Sequence, residues 1–152
     1  CSRDWSSDVC SSDLNFQVTN AGLRSLDGCP DEVGGYFSCD GNLLENLEGS
    51  PQKVSSIYCD NNPLKNLHGF PLEVKDSTIL TWNPDLPLLR TLVSGLRISL
   101  RQTPNATGEQ IMDVYRVESI LNDPHWRRKG KVGAIPCAAA LIKAGFSGNA
   151  KW

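Results

Sequence analysis

Apolar positions recur along the first half of the chain with a period of about twenty residues. Leu23, Leu26, Gly28, Pro30 and Val33 return as Leu44, Leu47, Gly49, Pro51 and Val54, and again as Leu64, Leu67, Gly69, Pro71 and Val74. A second pattern precedes each copy. It reads Phe37-x-Cys39-x-x-Asn42-x-Leu44 and then Ile57-x-Cys59-x-x-Asn62-x-Leu64. Weaker versions flank these two, as Phe16-x-Val18-x-x-Ala21-x-Leu23 and Ile79-x-Thr81-x-x-Pro84-x-Leu86. Five matched positions in three copies identify an internal repeat, which must be settled before single elements are read.

Each copy predicts one short strand and one turn-rich return. Phe37 and Cys39 are two residues apart, so on a strand both side chains reach one face while Ser38 points to the other. Asn42 falls where the chain turns, and a buried Asn amide can bond the backbone of the turn and of its neighbour. Leu44 and Leu47 fill the interior, and the Gly-x-Pro that follows breaks any helix. One copy buries too little apolar surface to offset the conformational entropy of ordering it. Stacking supplies the remainder by pairing each strand with the next and covering both sides of every interior layer. The expectation is a right-handed coil with a parallel sheet on one side and irregular returns. Cys39 and Cys59 then occupy the same inward position in adjacent strands and read as small apolar core residues.

The motif resembles the L-x-L-x-x-N/C-x-L core of leucine-rich repeats over residues 15–90. The fold class expected is therefore α+β: a leucine-rich repeat solenoid with a short parallel sheet, capped by a small C-terminal helical segment over residues 91–152. The ending KAGFSGNAKW, with Lys129-Gly130-Lys131 and Gly133-Ala134 upstream, looks like the tail of phage and prophage leucine-rich repeat proteins. That resemblance implies origin, in the cytoplasm of a bacterial or phage-infected cell, and leaves mechanism open. Effector ubiquitin ligases also carry repeats of this length, but the residues after the repeats are too few for their large helical catalytic module. A fragment of a leucine-rich repeat effector stays open as a further alternative.

Alternation assigns the outward strand positions to Tyr36, Ser38 and Asp40, to Ser56, Tyr58 and Asp60, and to Thr78, Leu80 and Trp82. On a concave sheet surface these would form adjacent rows. Tyr36, Ser38, Asp40, Tyr58, Asp60, Leu80 and Trp82 are accordingly the expected partner-binding residues, with the aromatic side chains as anchors. Asp40 and Asp60 would stand about 4.8 Å apart, an unfavourable juxtaposition of like charges that points to solvent relief or a basic partner.

Beyond Leu86 the rhythm fails. Leu88, Leu89, Leu92, Val93 and Leu96 have the spacing of a short helix, and Arg97 to Leu100 alternate as a last strand. A helix is expected from Gly108 to Leu121, with Ile111, Val114, Tyr115, Val117 and Leu121 on its apolar face and Asp123-Pro124 as its stop. Another is expected from Gly133 to Ala144, with Ile135, Ala138, Leu141 and Ile142 inside and Gly145 as its C-cap. Stacked repeats leave an apolar end layer, which these helices are placed to cover. Between them Arg127, Arg128, Lys129 and Lys131, beside Trp126, form a basic loop that suits phosphate or an acidic partner and makes nucleic-acid association the alternative function.

Composition narrows the classes. A net charge of −2 and 21% charged residues argue against a dedicated nucleic-acid binder or an anionic-membrane binder. No apolar run reaches the roughly 18 residues needed to cross a bilayer, and no membrane association is expected. The first residue is Cys1 and the single methionine is Met112, so the natural start is expected to lie elsewhere. Residues 1–14, CSRDWSSDVCSSDL, resemble a translated sequencing adapter and are set apart from the fold. Of the remaining Cys29, Cys39, Cys59 and Cys137, none forms C-x-x-C, so no zinc site, metal or cofactor is expected and free buried thiols are. His68 and His125 have no nucleophile partner by sequence, Lys129-Gly130-Lys131 lacks the glycines of a phosphate loop, and Asn105-Ala106-Thr107 is a glycosylation sequon without a secretory signal. The reading is a non-enzymatic protein-interaction module.

Overall fold

A computed structural model describes residues 14–93 and 97–152. The set-apart segment 1–14, except Leu14, falls outside the described residues, as does Leu96. The strands are β1 (Phe16–Gln17), β2 (Glu32–Ser38), β3 (Lys53–Tyr58), β4 (Glu73–Val74), β5 (Ser77–Thr81) and β6 (Arg97–Arg101). They form one parallel sheet in the order β1-β2-β3-β5-β6, with β4 also pairing β3. Between β2 and β3, and between β3 and β4, the chain returns through turns and bends without a helix. The molecule is thus a parallel β-solenoid with irregular returns and short C-terminal helices.

Equivalent side chains of successive turns stack in columns inside the coil. Val33 pairs Val54, and Val54 pairs Val74. Phe37, Ile57, Thr78 and Ile98 form one continuous register, and each is fully buried. Leu26, Leu47 and Leu67 are buried, as are Leu44 and Leu64, while Leu23 in the first turn is half-buried. Cys39 and Cys59 are buried side by side as free thiols; Cys137 is also buried and Cys29 is half-buried.

Asn42 and Asn62 bind the turns together. Asn62 Nδ2 lies 3.0 Å from Cys39 O and 3.2 Å from Cys59 O, while its Oδ1 accepts from Leu44 N at 3.2 Å. Asn42 repeats this one turn earlier, donating to Val18 O and Cys39 O and accepting from Ala21 N and Leu23 N. Each amide satisfies backbone groups that the tight bend leaves without sheet partners. The repeated Gly has an equally definite cause. Gly49 has φ +84°, and a Cβ there would stand 2.7 Å from the backbone of Leu26 in the preceding turn. Only glycine permits both the left-handed backbone and that approach.

Short helices follow the last turns of the coil. Leu89–Val93 makes a 3₁₀ helix and β6 extends the parallel sheet. α1 (Gly108–Leu121) begins with a capping box between Thr107 and Gln110 and runs beside β6. Its Asn122 cap accepts from Ile98 N at 2.9 Å and donates to Ile98 O at 2.7 Å, and Glu118 accepts from Leu100 N at 2.8 Å. These side chains satisfy the edge of β6, which would otherwise invite another strand. Asp123 then caps α2 (Pro124–Arg127), with Pro124 in the first turn. A 3₁₀ turn at Gly130–Gly133 leads into α3 (Ala134–Lys143), which ends at Gly145 with φ +95°.

The inward faces of the helices differ in part from the pattern. On α1, Val114, Val117 and Leu121 are buried, while Tyr115 is exposed. On α3, Cys137 and Leu141 are buried, and Ile135 and Ile142, expected inside, face outward. α3 carries one charged residue, Lys143, so apolar content does not mark its inner side. No helix among the described residues is long and apolar enough to cross a membrane.

Candidate functional site

The solvent side of the sheet is built by alternation on four strands. Register places Ser38, Tyr58, Ile79 and Ser99 in one row. Tyr36 pairs Ser56 in the row on one side, and Ser77 Oγ continues that row 3.2 Å from Ser56 Oγ. Asp40, Asp60, Thr81 and Arg101 follow on the other side, with Thr81 paired to Arg101 and Gly41 N donating to Asp60 O. Tyr36 and Tyr58 touch diagonally, ring centroids 5.5 Å apart and planes inclined by 34°, and both are half-buried. The face is therefore acidic at Asp40 and Asp60, aromatic and hydroxylated in its middle, and basic at Arg97 and Arg101 on β6.

The expected residues divide. Tyr36, Asp40, Tyr58 and Asp60 reach this face half-buried. Ser38 lies on it but is fully covered, its Oγ donating to Asp40 Oδ2 at 2.7 Å. Leu80 and Trp82 do not belong to it: both are buried in the core. The turn that brings Ile57 to its equivalent is twenty-one residues, so Thr78 rather than Ile79 is the partner of Ile57. A one-residue slip exchanges the two faces of a strand. Thr78, Leu80 and Trp82 therefore point inward, and Ile79 and Thr81 take their place outside. The spacing Leu80-x-x-Asn83, matching Cys39-x-x-Asn42 and Cys59-x-x-Asn62, carries this register in the sequence. Ile79, Thr81, Ser99 and Arg101 are the outward residues that alternation from Ile79 missed.

The acidic corner has unusual electrostatics. Asp40 lies beside Asp60, and one of its carboxyl oxygens is buried without a hydrogen-bond partner. Burial, followed by the neighbouring Asp60 carboxyl, raises the Asp40 pKa to about 6. Asp40 is therefore more readily protonated than an ordinary carboxyl.

The basic segment is only partly a surface. Arg127 is buried, its Nε donating to Leu121 O at 2.8 Å and its Nη1 to Thr91 O at 3.1 Å. It closes the C-terminal end of α1 onto the 3₁₀ segment and does not present its guanidinium to a partner. Desolvation lowers its pKa to about 10, which leaves it charged at neutral pH. Trp126 is half-buried, with its indole NH bonded to Ile120 O at 2.7 Å. Arg128, Lys129 and Lys131 are exposed. His68 and His125 are both exposed, and among the described residues neither has a nucleophile in hydrogen-bond contact and no cluster of metal-ligating side chains occurs.

The geometry defines a class, a parallel β-solenoid with a mixed aromatic and charged sheet face. No family model, curated protein or solved structure matches the chain.

Proposed function

We propose that the chain is a leucine-rich repeat protein of phage or bacterial origin that acts in the cytoplasm as a non-enzymatic interaction module, binding a protein partner through the solvent face of its sheet. The observation that carries this reading is the Tyr36–Tyr58 ring pair, presented on a rigid sheet beside the Asp40–Asp60 corner. Paired tyrosines on fixed strands offer large contact area at low entropic cost, as interface anchors do. The charge gradient from Asp40 and Asp60 to Arg101 fits an extended polypeptide with a basic segment over the acidic corner.

The test is capture of a partner from bacterial lysate by the full chain and by a Tyr36→Ala, Tyr58→Ala variant. Both tyrosines are only half-buried, so the variant is expected to keep its fold and lose the partner. Equal capture by both chains defeats the assignment. A Leu43→Ala variant, altering an exposed leucine in a return segment, is expected to bind as the parent does.

A further inference from the structure

The charge of −2 conceals a strong asymmetry. Residues 124–152 hold six of the fifteen basic side chains and none of the seventeen acidic ones. Five of the six, Arg128, Lys129, Lys131, Lys143 and Lys151, are exposed. The same segment exposes three aliphatic side chains: Val132 at 79%, Ile135 at 83% and Ile142 at 57%. On α3, Ile135, Ala139 and Ile142 follow a spacing that sets them on one face, opposite the buried Cys137 and Leu141, with Lys143 on the shoulder of that face. A helix that is apolar on both sides is ordinarily covered on both. Among the described residues, only one side of α3 is covered.

The chemistry around the strip selects its occupant. Two isoleucines and an alanine on a convex helix, with Val132 in the turn before it, fall far short of the roughly 800 Å² per partner of a stable protein interface. A second copy packed on the same face would bring the Lys-rich flanks of both chains together, which like-charge repulsion opposes. A nucleic acid would engage the cations and leave Ile135 and Ile142 in water. A bilayer interface needs no complementary shape, accepts a narrow aliphatic ridge, and offers anionic headgroups to the exposed lysines that flank it in sequence. We infer that the outer face of α3, with Lys129, Lys131 and Lys143, docks the protein peripherally on an anionic lipid surface. This site is separate from the tyrosine face of the sheet.

The experiment is co-sedimentation of the full chain with vesicles of phosphatidylcholine alone and of phosphatidylcholine mixed with phosphatidylglycerol. Binding is expected to the anionic vesicles only, and to weaken as salt is raised. Lys129→Gln with Lys131→Gln is expected to weaken it about thirtyfold, and Ile135→Ser with Ile142→Ser by about tenfold or more. Both pairs are exposed, and unchanged thermal unfolding verifies that the fold persists. Val132→Ser, in the exposed turn that leads into α3, provides an independent probe. A Tyr36→Ala, Tyr58→Ala variant is expected to sediment as the parent does, which separates this site from the sheet face. Absence of binding at low salt, equal binding to neutral vesicles, or full binding by the isoleucine variant overturns the proposal. So does a dimer, or a complex with single-stranded RNA, formed by a chain that does not bind the vesicles.

Discussion

The indole Nε1 of Trp82 donates to Oδ1 of Asn149 at 3.1 Å, across 67 residues of sequence. Asn149 is fully buried, and its Nδ2 donates to Asn83 O at 3.0 Å and Leu86 O at 2.8 Å. The tail thereby performs for the bend after β5 the task that Asn42 and Asn62 perform for the earlier turns. Asn149→Ala leaves one donor and two acceptors buried without partners, and is expected to cost about 2–4 kcal/mol in urea unfolding. A loss below about 0.5 kcal/mol would show that the tail is not integral to the coil.

The asparagine ladder makes a sharper comparison within one turn. Asn62→Leu removes bonds to Cys39 O, Cys59 O and Leu44 N in the interior. Asn46 accepts from Glu48 N at 3.0 Å on the surface. The expected losses are about 3 kcal/mol for Asn62→Leu and less than about 1 kcal/mol for Asn46→Ala. Comparable losses, measured by the same denaturant titration, would contradict a structural role for the inner ladder.

Glycine offers a test of how closely the turns approach. Gly22 and Gly49 both have positive φ, +67° and +84°. Nothing lies within 4 Å of a Cβ at Gly22, whereas at Gly49 it meets the Leu26 backbone. Gly22→Ala carries the left-handed penalty alone, about 1–2 kcal/mol. Gly49→Ala adds displacement of a neighbouring turn, and the expected melting temperature is lower for Gly49→Ala than for Gly22→Ala. The reverse order would refute the close stacking.

These comparisons show where the sequence was legible. The columns of Leu, Val and Cys, the helix-free returns and the bounds of α1 follow from periodicity and punctuation, because interior positions must repeat when turns stack. The face of β5 was not legible from Ile79, because matching it to Ile57 sets the step one residue longer than the twenty-one observed, and side-chain period two makes the error total for that strand. Arg127 was misplaced for a different reason: a loop-like cluster of cations gives no sign that one of them bridges Leu121 O and Thr91 O. The outer face of α3 was hidden in a helix apolar all round, and the basic character of residues 124–152 was hidden in a near-zero total charge.

The buried thiols carry an accessibility prediction. Cys59 is fully buried, and desolvation together with the adjacent Cys39 holds its pKa well above the ordinary thiol range. Cys137 is raised to about 11, also chiefly by burial. Thiolate is the reactive species and Cys39 is shielded by complete burial, so an aromatic disulfide reagent at pH 8 is expected to leave Cys39, Cys59 and Cys137 unmodified in the native chain and to label them on unfolding in urea. Fast native labelling of Cys39 or Cys59, located by peptide mass mapping, would mean that the sheet opens between β2 and β3.

The Asp40–Asp60 corner fixes the sign of one pH dependence. Asp40 has its pKa raised from 3.8 to about 6 by burial and by Asp60. Between those values the folded chain binds more protons than the unfolded chain, so this site's contribution to stability is fully present below about pH 4 and falls as pH rises through 6. The entire shift corresponds to about 3 kcal/mol, and solvent screening at a half-buried site reduces the expected effect to about 1 kcal/mol. Asp40→Asn keeps an acceptor for Ser38 and supplies a permanent donor toward Asp60. It is expected to stabilise the chain by about 1 kcal/mol at pH 8, to change little at pH 4, and to flatten the fall between them. Chemical denaturation of both chains from pH 4 to pH 8 measures it; parallel curves would show that Asp40 does not carry the pH dependence.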